Sequence, residues 1–433
     1  MNDAVHPTEN FVQRHLRRNI LVQLAHGMFG QTGFRLFNAP TFLPVYLYAI
    51  SGSEFFVGLA RSLQAGGQVL TPVLGASLIG HRPRMLRVTL VAGALMRLQI
   101  LLVALCGIFL GATGAGMWAI VFFMTLMGVF QGMQGVMINS LRAKVIPVER
   151  RGFVSGWRNF LAGATTASLS YFAGGYFIDN NVLGDGYAAL FLLAFVITSI
   201  GLVALAFTAE PESATLRQRE NVFQSFRALP GLLARNPPFA RFFLVSALGS
   251  MGRMAMPFYI LYAGTRLEIS GVMLGVLTTI WMLTGTATNV IWGALADRNG
   301  YRIVMIATLA MWSLAHLELI FAEDIGSIMI FFVLVGTAAG GFNQARQNMV
   351  LELGEASDIP LRVAMSNMAV NAIGTAGPLL GGAIAAAAGY TTIFVICMVA
   401  QVVALAVLAI FIPEPRHAGA RSIDDGNDQG EAS

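Results

Sequence analysis

Apolar residues run along this chain in long blocks, and short polar clusters separate them. A helix needs roughly 20 mainly apolar residues to cross about 30 Å of hydrocarbon. Blocks of that length lie near 20–48, 55–78, 84–110, 116–138, 153–178 and 187–209, then near 239–262, 271–296, 302–322, 326–346, 362–388 and 391–412. They predict an all-α membrane protein of twelve transmembrane helices. The predicted organisation is a cytoplasmic tail over 1–19, a six-helix bundle over 20–209, a cytoplasmic linker over 210–238, a second bundle over 239–413 and a cytoplasmic tail over 414–433. Acidic residues such as Asp424, Asp425 and Asp428 mark that last tail as disordered.

Composition agrees. Of 433 residues 56% are hydrophobic and 11% charged, against about 25% charged in a soluble domain. The 27 basic residues include one lysine, Lys144, a bias that points to a GC-rich bacterial genome. They fall between apolar blocks rather than on one solvated face, which excludes a nucleic-acid partner. With the N-terminus inside, 20 of the 27 lie in cytoplasmic segments, and the opposite loops hold only Arg266. Those loops carry Glu54, Asp179, Asp185, Glu268, Glu323 and Asp324 instead. This asymmetry predicts a multi-pass protein of the bacterial inner membrane with both termini cytoplasmic. The first apolar block is too long for a cleaved signal peptide and is expected to remain as an anchor. Cys106 and Cys397 sit inside apolar blocks and are expected to be inert thiols without a disulfide.

The two halves repeat. Gly75–Leu78 ends span 2 and Gly293–Ala296 ends span 8, an offset of 293 − 75 = 218, and Arg84 and Arg302 share it. The stretch Gly293-Ala-Leu-Ala-Asp297-Arg298-Asn-Gly300-Tyr-Arg302 resembles the loop signature of the major facilitator superfamily. The resemblance covers the whole chain in plan. It implies two pseudo-symmetric six-helix bundles, transport by alternating access, and an inner latch made by Asp297, Arg298 and Arg302. The first-half copy departs from the signature, with Ile79 in place of the aspartate. Gly377-Pro378-x-x-Gly381-Gly382 resembles an element of the family's antiporters, but lies in span 11 rather than span 5, and close helix packing is the better reading of it.

Charges inside the blocks carry the candidate chemistry, because an ionisable group at mid-membrane costs about 2.5–3.5 kcal/mol. Arg35 and Arg253 lie deep in spans 1 and 7, again 218 apart (253 − 35). The resemblance places both helices on the central cavity. Guanidinium forks suit carboxylate or phosphate, so the pair is a candidate anion site, with Gln131, Gln134 and Asn343 as polar partners. A static role, bonding nearby Gln31, Asn38 or Asn289, fits equally well. Arg61 reads as a structural or snorkelling group, Arg97 as structural, and Arg158 and Arg241 as snorkelling. Arg346 is a candidate gate or a topology anchor. Of the acidic residues only Glu318 falls inside a span, which argues against a proton–sugar symporter or a cation exporter. His26 and Glu318 are minor candidates for proton coupling. The series Gly27-x-x-Gly30-x-x-Gly33 reads as packing or helix flexibility.

No enzyme constellation, metal cluster or cofactor motif is present in the sequence. The expected activity is secondary transport of a small organic, anionic solute by a monomer in contact with lipid, with a proton or counter-anion as coupling partner. Two alternatives remain: a multidrug exporter of amphipathic compounds, and a non-transporting assembly factor or sensor that keeps the fold.

Overall fold

The structure is a computed structural model that describes residues 7–212, 231, 235–353 and 359–414. The acidic tail beyond Glu414 and most of the linker, including the expectation of disorder, lie outside the described residues. Everything regular among the described residues is helical.

Among the described residues, nine helices are long and apolar enough to cross a membrane, corresponding to spans 3, 4 and 6–12. The other three predicted spans are also helical, but interrupted or more polar. Span 1 runs through Leu16–Ala25, a π-helical turn at His26–Gly30, Gln31–Phe37 and then Phe42–Ser51. Its break at Asn38–Thr41 contains Pro40, which has no N–H for the ladder and disfavours helix in the residue before it. Span 2 is Glu54–Leu70 and Pro72–Gly80, meeting at Thr71. Span 5 is Val148–Ala173 followed by a π-helical turn at Gly174–Asp179. Helix also begins earlier than expected, at Pro7, within the segment read as a tail.

Two compact units are present. One holds spans 1–6 with Glu268–Met282, the first turns of span 8; the other holds span 7, the remainder of span 8 and spans 9–12. The first turns of span 8 join the first unit through specific bonds. Asp179 accepts from the backbone N–H groups of Gly271 (2.6 Å) and Val272 (3.0 Å), which caps the helix Gly271–Asn299. Gly174 and Gly271 abut backbone to backbone, as do Gly275 and Ser170. The Thr279 hydroxyl donates to the carbonyl of Ala167 at 2.8 Å, and the hydroxyls of Thr41 and Thr278 are bonded to each other.

Small residues set the helix spacing inside each unit, as expected where apolar side chains gain little by leaving lipid. In the first unit Gly67 faces the backbone of Thr125–Val129, and Gly128 and Gly132 face that of Gln64 and Gln68. In the second, Gly285 and Gly340 meet in the same manner. Gly67 and Gly285 again differ by 218 (285 − 67).

The end of each bundle is tied to its own third span. Glu210, just after span 6, accepts from the first amides of span 3, Met85 (2.8 Å) and Leu86 (2.9 Å), and pairs with Lys144 at 2.8 Å. Glu414, just after span 12, accepts from the amide of Arg302 at the start of span 9 (3.1 Å). Gly300 makes this possible twice over: its φ is +84°, a region that costs L residues strain, and the Glu414 carboxylate fills the space of its missing Cβ.

Candidate functional site

Span 4 continues as helix to Val145, past the expected end at 138. Along it Gln131, Gln134, Gly135, Ile138, Asn139 and Arg142 recur at the three- and four-residue steps of one helix face. That face lines a cavity of about 320 Å³ within the first bundle. Span 1 adds His26, Gly30, Gln31 and Phe34; span 3 adds Met96 and Arg97; span 5 adds Arg158. Among the described residues, three arginines line the cavity and no carboxylate does.

The glycine series of span 1 builds this wall. Gly33 touches the backbone of span 6 at Ala194 and Thr198, and Gly30 meets Gly201 of the same helix. Arg158 passes directly over Gly27, where any side chain would block it. A Cβ at Gly30 would stand in van der Waals contact with His26 Nε2 (3.5 Å) and Arg97 Nη2 (3.6 Å). A π-helical turn spans these residues; such turns recur at functional sites.

Arg97 is buried and anchored: its Nε donates to the Thr198 carbonyl (2.7 Å) and its Nη1 to that of Gly93 (2.8 Å). The structural reading of Arg97 thus holds, yet the residue also lines the cavity. Gln134 is 4% exposed and crosses Gly93, where a Cβ would displace its amide. Among the described residues, neither ring nitrogen of His26, nor Nε2 of Gln134, nor Nε of Arg142 and Arg158 has a hydrogen-bond partner. Arg35 stands beside the cavity and donates to Gln31 Oε1 at 3.0 Å. Asn38, read as a neighbour of Arg35, instead accepts from Arg61 (3.0 Å) and from Gln64 (2.8 Å).

The second bundle gathers its own arginines. Arg253 donates to Asn343 Oδ1 at 3.1 Å, joining spans 7 and 10. Its helix is irregular there, with a 3₁₀ turn at Met256–Phe258 around Pro257. Gly377 and Gly381 of span 11 press on Met254 of the same segment, so this glycine–proline element acts in helix packing. Arg346, 4% exposed, donates to Ser366 Oγ (2.9 Å) and Asn367 Oδ1 (3.1 Å).

The remaining candidates stand apart from these clusters. Asp297 and Arg298 are exposed, without a hydrogen-bond or ion-pair partner among the described residues. Arg302 donates to the Ala409 carbonyl at 2.7 Å. Glu318 is half-buried on span 9. Its neighbour His316 is buried and bonds Tyr259 Oη at 2.9 Å.

Sequence reasoning missed Arg142 and Arg158 as site residues. Arg142 counted as a loop arginine because hydropathy ended span 4 early. The i, i+3, i+4 stripe from Gln131 was the signal that could have found it.

The sequence profile of the Major Facilitator Superfamily matches residues 27–265 and 242–429. The chain is 24% identical over 384 residues to the multidrug resistance protein MdtG of Escherichia fergusonii, covering 86% of this chain and 83% of that protein. The crystal structure of a point mutant of the nucleoside transporter NupG matches with a TM-score of 0.72 and 14% identity, over 91% of this chain and 100% of the other. A D-xylose–proton symporter matches at 0.69 and 14%, over 93% and 99%. A bacterial homologue of the iron transporter ferroportin, in an inward-facing state, matches at 0.66 and 14%, over 91% and 98%. With twelve helical spans, an internal repeat and a profile match along almost its whole length, this chain is a multi-pass membrane protein that belongs to the major facilitator superfamily of transporters.

Proposed function

We propose that this protein is a secondary active transporter that moves a small organic anion across the bacterial inner membrane by alternating access, with both termini cytoplasmic. The observation that carries this reading is the cavity of the first bundle, lined by Arg97, Arg142 and Arg158 and, among the described residues, by no Asp or Glu. A desolvated cluster of like charges is unfavourable unless an opposite charge joins it, and a transported anion is that charge. Within the first bundle Arg35 adds a guanidinium and Gln131 and Gln134 give neutral hydrogen bonds; Arg253 with Asn343 is the candidate anion group of the second bundle, where Asp297, Arg298, Arg302 and Arg346 act in the inner gate. His26 and Glu318 are the groups for a coupled proton.

Uptake of labelled succinate and phosphate into proteoliposomes, beside Arg35→Ala and Arg253→Ala, tests the reading. Anion uptake that disappears in either variant at normal expression supports it. Uptake unchanged in both variants sinks the arginine assignment.

A second reading has one observation in its favour. The relative MdtG is named a multidrug resistance protein and aligns over most of both chains. An exporter of lipophilic cations would meet a cavity of its own charge here. Drug sensitivity of a deletion strain, with no anion transport in vesicles, would favour the exporter.

A further inference from the structure

We propose that the cavity between spans 1, 3, 4 and 5 is a binding site for a compact oxyanion of charge −2, held by Arg142, Arg158 and Arg97 with Gln134 and His26. This rests on the anion reading above and adds to it the charge, the size and a place within the first bundle alone.

The argument starts from the groups that have no partner. Nε of Arg142, Nε of Arg158 and Nε2 of Gln134 are all donors, all buried, and none meets an acceptor among the described residues. His26 adds a fourth donor, since one of its two unpartnered ring nitrogens carries a proton in either tautomer. Buried donors are nearly always satisfied, and the residues that carry these line one cavity. Four donors against one acceptor, the second His26 nitrogen, call for a species rich in acceptors, which describes an oxyanion.

Charge sets the valence. Three guanidiniums face the cavity, and Arg35 stands one residue pair away through Gln31. A single negative charge compensates one of the three lining charges; a doubly charged group compensates two and leaves one. Volume sets the size, because about 320 Å³ lies at the lower limit of small-ligand sites. A phosphate or sulfate group, or the phosphorylated end of a small metabolite, has this charge and compactness.

The local construction serves the same end. Gly27 clears the path of Arg158 and Gly93 that of Gln134. Arg97 is fixed by two carbonyls, so its remaining amino group is presented at a set position. Fixed donors lose little freedom when they bind.

The test is a thermal-shift titration of the detergent-purified full-length protein with sulfate and with inorganic phosphate. It is run at about pH 8, where a phosphate group carries nearly two charges, and at constant ionic strength set with chloride. The expected result is a saturable rise in Tm for the wild type and for Arg241→Gln, a control outside the cavity. The apparent Kd is expected to weaken about tenfold in Arg142→Gln and in Arg158→Gln. Gln134→Glu, which installs an internal counter-charge, is expected to raise the anion-free Tm and flatten the response. Equal titrations across the wild type and these variants, or no saturable response in the wild type, would overturn the proposal. Loss of succinate uptake in Arg253→Ala alongside that failure would leave the broader anion reading standing.

Discussion

Arg158 lies across Gly27, so closely that a Cβ on residue 27 would occupy the place of its side-chain methylenes. One atom of side chain on span 1 therefore decides where a guanidinium from span 5 can go. Gly27→Ala should push Arg158 out of the cavity. Overpacking of this kind costs about 1–3 kcal/mol. The expected outcome is a Tm lowered by several degrees together with a weakened response to sulfate. A Gly27→Ala protein that keeps the wild-type sulfate response would show that Arg158 reaches the cavity by another path.

Glu210 satisfies two helix-start amides and the single lysine of the chain. Its side chain is 3% exposed and that of Lys144 11%. Glu210→Ala leaves the two amides without an acceptor, while Lys144 keeps the Pro83 carbonyl, at a cost of about 1–3 kcal/mol. Glu212, whose pair with Arg84 is 69% and 66% exposed, is the contrasting case, and Glu212→Ala should change stability by less than about 0.5 kcal/mol. Melting temperatures of the two variants in detergent check the contrast; equal losses would contradict it.

Gly300 combines a φ of +84° with a carboxylate in its side-chain space. Gly300→Ala is expected to cost about 1–3 kcal/mol and to free Glu414 from Arg302. Gly80→Ala, a helical position with open space around it, should be close to neutral. Thermal unfolding of the pair, read side by side, tests whether conformation and crowding rather than any glycine loss set the effect.

Asp179 caps span 8 with two backbone bonds. Asp179→Ala removes both acceptors and should lower stability by about 0.5–2 kcal/mol. Asp179→Asn keeps one acceptor oxygen and should retain about half of that. Accessibility of a cysteine placed at Val272 to a membrane-impermeant thiol reagent gives an independent reading. It should rise in Asp179→Ala, and an unchanged labelling rate would show that the cap does not hold the helix start.

Most of the architecture was legible in the sequence, because hydrocarbon imposes a length on every span. The helices of spans 3, 6, 9 and 12 lie within a few residues of the expected ones. The misses have local causes. The break in span 1 followed from Pro40 and that in span 2 from Pro72, signals that a hydropathy window averages away. Arg142 was misplaced because the helix of span 4 runs past the end of its apolar stretch. Arg158 looked like a snorkelling group from its position alone. Only the packing of spans 1 and 5, set by Gly27, turns it inward. Asn38 shows the converse: proximity in sequence to Arg35 suggested a bond, yet the helix break carries Asn38 to Arg61 and Gln64 on span 2. Side-chain partners across helices depend on rotations that no single-sequence pattern records.

Glu210 and Glu414 also bear on ancestry and on engineering. Each carboxylate follows the sixth helix of its own half and fastens to the third helix of that half. A gene for one half therefore encodes its own fastening, so duplication and fusion of such a gene would need no new closure. The same logic allows the reverse operation. Two genes divided between Pro211 and Asn236 would each keep a carboxylate and the amides it binds, and their products could be made as separate polypeptides.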